Sequence, residues 1–87
     1  MKLPERLTMA EAGAVLAALQ AQPAGAALSV DASGLAAFDS AALAVLLHAL
    51  RLARARGQGF ELLGPPDPLR QLARLYGVDA LLGLQGA

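Results

Sequence analysis

The chain has no cysteine and no tryptophan, a single histidine, and only Phe38, Phe60 and Tyr76 as aromatic residues. Without cysteine there is no disulfide framework, no thiolate nucleophile and no cysteine-based metal site, as expected of a cytoplasmic protein. Charge of one sign is also missing. Seven Lys and Arg residues balance seven Asp and Glu residues, for a formal net charge of zero. The basic residues form no dense block, so the strongly basic face that nucleic-acid binding requires is absent. The longest apolar run, Ala41 to Leu47, stops at His48. It is far short of the roughly 20 residues of a membrane span. Met1 to Arg6 contains no apolar core of a signal peptide.

Catalytic machinery is equally scarce. No GxGxxG, Walker loop or metal-ligand spacing occurs. His48 lies on the same predicted helix as Ser40, about 12 Å along the axis, far beyond the roughly 3 Å of a nucleophile–base pair. The carboxylates are scattered, and Glu11, Asp39 and Asp67 stand at helix starts where capping accounts for them. A non-enzymatic protein without cofactor or metal is expected.

What the chain does contain is alanine and leucine. Apolar residues make up 56% of its 87 positions, which suits one small helix-rich domain, residues 1–87, with closely packed backbones. Thr8-Met-Ala-Glu11 has the form of a capping box and opens a helix to about Gln20, with Val15, Leu16 and Leu19 inward. Pro23-Ala-Gly25 ends it. Ala27 to Asp31 reads as a short buried strand parallel to its neighbours. A second helix spans about Ser40 to Ala55, where Leu43, Leu46, Leu47 and Leu50 repeat at helical spacing. Phe38 and Leu43 flank Asp39 as a hydrophobic staple flanks a cap. Phe60 to Leu63 is the next strand. Asp67-Pro68 is expected to cap a third helix, lined on one side by Leu69, Leu72, Ala73 and Tyr76 and on the other by Arg70 and Arg74. Val78 to Leu82 adds one further helical turn. The alternation predicts an α/β domain: a small mixed sheet with helices packed on it.

Asp39 and Ser40 carry the functional reading. Both are strong N-cap residues, and one cap suffices. With Asp39 capping, Ser40 occupies the first helical position with its hydroxyl free for a partner. A phosphoryl group there would add a charge of about −1.5 to −2, favoured by the helix dipole and opposed by Asp39. On the same helix, Ala41, Ala44, His48 and Arg51 form a face that is small near its start and polar later.

The segment Asp31-Ala-Ser33-Gly-Leu-Ala-Ala-Phe38-Asp39-Ser40-Ala-Ala-Leu43-Ala resembles the signature of STAS domains, in which a strand ending in Asp-x-Ser leads to Asp-Ser-x-Gly-Leu-Gly at a helix start. Gly57-Gln-Gly-Phe-Glu-Leu-Leu-Gly64 is similar to the family's next strand, and Leu72-Ala-Arg-Leu-Tyr-Gly77-Val to its third helix. The resemblance covers about Leu3 to Leu82. It implies a sheet with helices on one side and a working surface at the loop before the second helix.

Two branches of the family bear on the function. In anti-sigma factor antagonists the serine matching Ser40 is phosphorylated by a kinase-type anti-sigma factor. In the other branch a small cytoplasmic MlaB-like STAS subunit binds the ATPase of the Mla-type phospholipid ABC transporter, peripheral to the inner membrane. Leu43-Ala-Val-Leu-Leu-His48 and Leu72-Ala-Arg-Leu-Tyr-Gly77 resemble runs of the transporter subunits and favour that branch. The resemblance implies a partner-binding set of Asp39, Ser40, Ala41, Ala44, Val45, His48 and Arg51, with Ser40 as phosphoacceptor in the other branch. This chain departs from the pattern at Ala42, where the family has glycine, and at Ser40, where transporter subunits often have threonine. The family's N-terminal strand is shortened or missing, leaving a sheet edge that a partner or a second copy in a homodimer would cover.

Overall fold

A computed structural model describes residues 1–84 apart from 24 and 26. Four strands and three helices alternate: β1 (Arg6–Leu7), α1 (Met9–Gln20), β2 (Ala27–Asp31), β3 (Ala37–Phe38), α2 (Ser40–Ala55), β4 (Gly59–Leu63) and α3 (Asp67–Leu75). β2 pairs with β4 in parallel, Leu28 opposite Phe60 and Val30 opposite Leu62. β1 pairs with β3, also in parallel. Ahead of β1, Lys2 bridges Asp31, and Leu3 N–H donates to Asp31 O at 2.8 Å. The extended residues 1–7 therefore run beside β2 and then β3. The α/β class with helices on a small sheet is as expected. The described pairings are all parallel, where a mixed sheet was expected, because a helix separates the paired segments of β2 and β4, as parallel connection requires.

Alternation along β2 puts Leu28 and Val30 into the core, while Ser29 and Asp31 face away. Across the sheet, the Ser29 hydroxyl donates to Glu61 Oε1 at 2.9 Å on the polar face. The helices cover the other face. α1 begins with the anticipated capping box: Thr8 N–H donates to Glu11 Oε1 at 2.8 Å and Ala10 N–H to Thr8 Oγ1 at 3.3 Å. Val15 and Leu19 are buried. α2 spans the expected residues, and its buried side is wider than the leucine stripe. Ala42, Val45, Ala49 and Ala53 join Leu43, Leu46 and Leu50 inside. Small side chains there admit both α1 and the sheet at close range.

One expectation for α3 is corrected. Asp67 is not the cap. Pro66 holds that position, and its carbonyl accepts from Leu69 and Arg70 N–H, so the helix starts one residue early with Asp67 at N1 and Pro68 at N2. On the side that Leu69, Leu72, Ala73 and Tyr76 line, Leu69 and Ala73 are buried, whereas Tyr76 is the C-cap residue and 59% exposed. Gly77 follows in the left-handed conformation and reverses the chain. The turn that follows, with Leu82 N–H donating to Val78 O, then brings Leu82 and Leu84 into the core in place of the tyrosine.

Candidate partner-binding site

The chain enters α2 from the turn after β2. Asp31 Oδ1 accepts Ser33 N–H at 2.8 Å, an Asx turn that redirects the backbone at the strand end. Ser33, through its side chain and its backbone N–H, holds the Asp31 carboxyl below its ordinary range. Five residues later, Asp39 has extended backbone and caps α2 through Oδ1, which accepts Ala41 N–H at 2.8 Å. Its second oxygen, Oδ2, accepts Met9 N–H at 3.4 Å. Both carboxylate oxygens are thus committed to backbone amides at the starts of α2 and α1.

Ser40 is consequently released from capping. It is exposed at the first position of α2, and its hydroxyl makes no hydrogen bond among the described residues. Two surface grooves meet there. One is bounded by Arg6 and Thr8 on one side and by Pro68 and Leu72 of α3 on the other, with Phe38 and Asp39 between. The second is apolar and runs between α2 and the end of α3, lined by Leu43, Ala44, Leu47 and Val78. Ser40 and Tyr76 border both.

The residues expected to form a partner surface do not all share it. Asp39, Ser40, Ala44 and Arg51 are exposed and His48 is half-buried. Val45, only 1% exposed, is a core residue, and Ala41 is buried too. α2 is packed by α1 as well as by the sheet, so its buried arc extends beyond the leucine stripe and takes in these two positions. Leu47 and Leu72, half-buried against the core, border the grooves as well, together with exposed Tyr76. The signal available for Tyr76 was its place beside Gly77, where a helix ends and a stripe residue loses its cover.

Among the described residues no group of three His, Cys, Asp or Glu side chains is placed to hold a metal ion. No helix there is long and apolar enough to cross a membrane. What the geometry offers is a hydroxyl on a rigid helix start beside two grooves, one with apolar walls.

The fold is an α/β domain in which the start of α2 opens onto two grooves. The chain belongs to the STAS domain family described as Mlab, STAS domain, which matches residues 1–84. Domains of this family are in general accessory or regulatory modules that act by binding other proteins. Among curated proteins, none matches the chain.

Proposed function

We propose that this protein is a non-enzymatic accessory subunit that binds the cytoplasmic ATPase of a phospholipid-transporting ABC complex, and so sits peripherally at the inner membrane. The family match supports the accessory role, and its MlaB-type description supports the transporter branch. The observation that carries the reading is Ser40: exposed, freed from capping by Asp39, and set where two grooves join. A partner acceptor or donor paired with this hydroxyl is buried on docking, and leaving it unpaired costs about 1–3 kcal/mol.

The test is affinity capture of the tagged protein from gently solubilised cells, followed by binding of the purified ATPase to Ser40 variants. Recovery of an ABC ATPase with its permease is the expected outcome. Ser40→Ala then weakens binding and Ser40→Glu abolishes it, because a carboxylate at this position meets Asp39 and the partner together. Unchanged affinity in both variants removes Ser40 from the interface. Capture of a kinase-type anti-sigma factor, with a phosphorylated mass that disappears in Ser40→Ala, replaces this reading with that of a phosphorylation-switched anti-sigma factor antagonist.

A further inference from the structure

The side chains around Ser40 also specify the chemistry of what docks there, an inference that rests on the reading of this helix start as the partner-binding site. The ionisable groups lining the two grooves are already in use. Asp39 gives one carboxylate oxygen to Met9 N–H and the other to Ala41 N–H. Arg6 is paired with Glu11, Nε to Oε2 at 3.4 Å. The Thr8 hydroxyl donates to Glu11 Oε1 at 2.7 Å and accepts Ala10 N–H at 3.3 Å. The remaining polar side chains of the linings are Ser40 and Tyr76, which border both grooves. Their hydroxyls, both neutral, have no hydrogen-bond partner among the described residues.

Charges outside the linings are of both signs. Asp67 precedes Pro68 and Asp79 follows Val78, while Arg74 stands just before the α3 end and Arg51 one turn beyond Leu47. Carboxylates and guanidiniums offset one another here, so neither an acidic nor a basic ligand gains on a neutral one. The walls themselves are apolar: Phe38 and Leu72 on one groove, Leu43, Leu47 and Val78 on the other. Tyr76, 59% exposed, stands where the two meet. A tyrosine in such a place offers a large apolar ring with a polar tip, the type of side chain that dominates interface energetics.

We propose that the two grooves receive an uncharged, apolar segment of the partner protein, anchored on Tyr76 and hydrogen-bonded to Ser40. A charged side chain seated there loses its water and finds no free counter-charge, which opposes binding, whereas an apolar one meets apolar walls. Docking through this surface is therefore insensitive to salt, because screening acts only where charges meet. Two copies of this chain related by a two-fold axis would set hollow against hollow, so neither copy fills the other.

The test pans a random peptide display library against the intact chain at low salt, where charged peptides have their greatest advantage. Enriched peptides are expected to be apolar, with no excess of acidic or basic residues. Their affinity should change less than about twofold between about 0.05 and 0.5 M salt. Tyr76→Ala should lower it roughly tenfold, as loss of an anchoring tyrosine does, and Ala44→Arg, which fills the groove, should lower it further. Asp67→Asn and Arg74→Gln, each removing one charge outside the linings, should leave it unchanged. All four replace exposed residues, so each is expected to fold, as circular dichroism checks. The assignment is overturned by failure to enrich peptides, by charged winners, by affinity that salt lowers tenfold, by indifference to Tyr76→Ala and Ala44→Arg, or by a dimer in sedimentation that Ala44→Arg dissolves. Apolar peptides that bind as expected, with no binding of the ATPase, keep the grooves and remove the transporter reading. ATPase binding that the two groove variants leave unchanged does the reverse.

Discussion

The Asp39 carboxylate and the Met9 amide join the starts of two helices. Oδ2 accepts Met9 N–H at 3.4 Å while Oδ1 caps α2 through Ala41 N–H at 2.8 Å. One side chain thus satisfies orphan amides on α1 and α2 and holds the Ser40 backbone between them. Both helix dipoles present their positive ends to the carboxylate, which strengthens each contact.

Asp39→Ala should therefore cost about 1–2 kcal/mol, at the upper end of single-cap losses. Asp39→Asn should recover most of it, since one amide oxygen still caps α2 at the shorter contact. Urea denaturation with both variants checks this. If Asn recovers nothing, the carboxylate charge and not the cap geometry carries the effect.

Gly64 lies at φ +59°, and a Cβ there would stand 2.8 Å from Ser33 Cβ and 3.3 Å from Ser33 Cα. The turn after β4 and the turn after β2 meet at this point, joined also by Ala32 N–H donating to Leu63 O at 2.8 Å. Gly64→Ala should destabilise by about 2 kcal/mol, from left-handed strain together with a contact against backbone that cannot yield. Because Ser33 leads into the α2 start, partner affinity should fall as well. Equilibrium unfolding and a binding titration on the same variant measure the two effects.

Gln58 is only 7% exposed, and among the described residues neither its Oε1 nor its Nε2 has a hydrogen-bond partner. A buried amide without partners costs about 1–3 kcal/mol. Gln58→Leu keeps the approximate volume and removes both orphan atoms, so it should raise stability by about 1 kcal/mol. Gln58→Glu should lower it by burying a charge. Melting temperatures of the two variants should move in opposite directions.

Two carboxyls link stability to pH. Glu11 is held below its ordinary value of 4.5 by the Thr8 backbone N–H, then the Thr8 hydroxyl and the Arg6 charge. Asp31 is held below 3.8 by Ser33. A carboxyl with a lowered folded-state pKa stabilises the fold above its unfolded value, and that contribution disappears as pH falls through the folded value. Stability should thus be level near neutrality and decline below about pH 4.5, the ordinary range of these groups. Glu11→Gln should flatten part of that decline. Urea midpoints measured across the acid range, for wild type and variant, give the comparison.

Much of this fold is legible in local sequence. The Thr8–Glu11 capping box, the bounds of α2 and the strand from Ala27 to Asp31 follow from caps, glycines and periodicity, because those features act within a few residues. The start of α3 lies one residue before the position that residue type suggests. Pro66 and Pro68 flank Asp67, and only the backbone bonds to Pro66 O decide which residue begins the helix. The site divides in the same way. Asp39 as cap and Ser40 as exposed neighbour could be read from residue type alone, since N-cap chemistry is local.

Residue type and spacing were enough to establish the alternation of strand and helix and the serine beside a capping aspartate. Which residues surround that serine depends on long-range packing. Val45 lies inside because α2 is covered on two sides, and Tyr76 lies outside because α3 ends before it. The second Asp39 bond reaches Met9, thirty positions away in the chain. Periodicity reports which face of a helix is apolar, but the width of its buried arc depends on how many neighbours pack against it, and those neighbours come from distant parts of the chain.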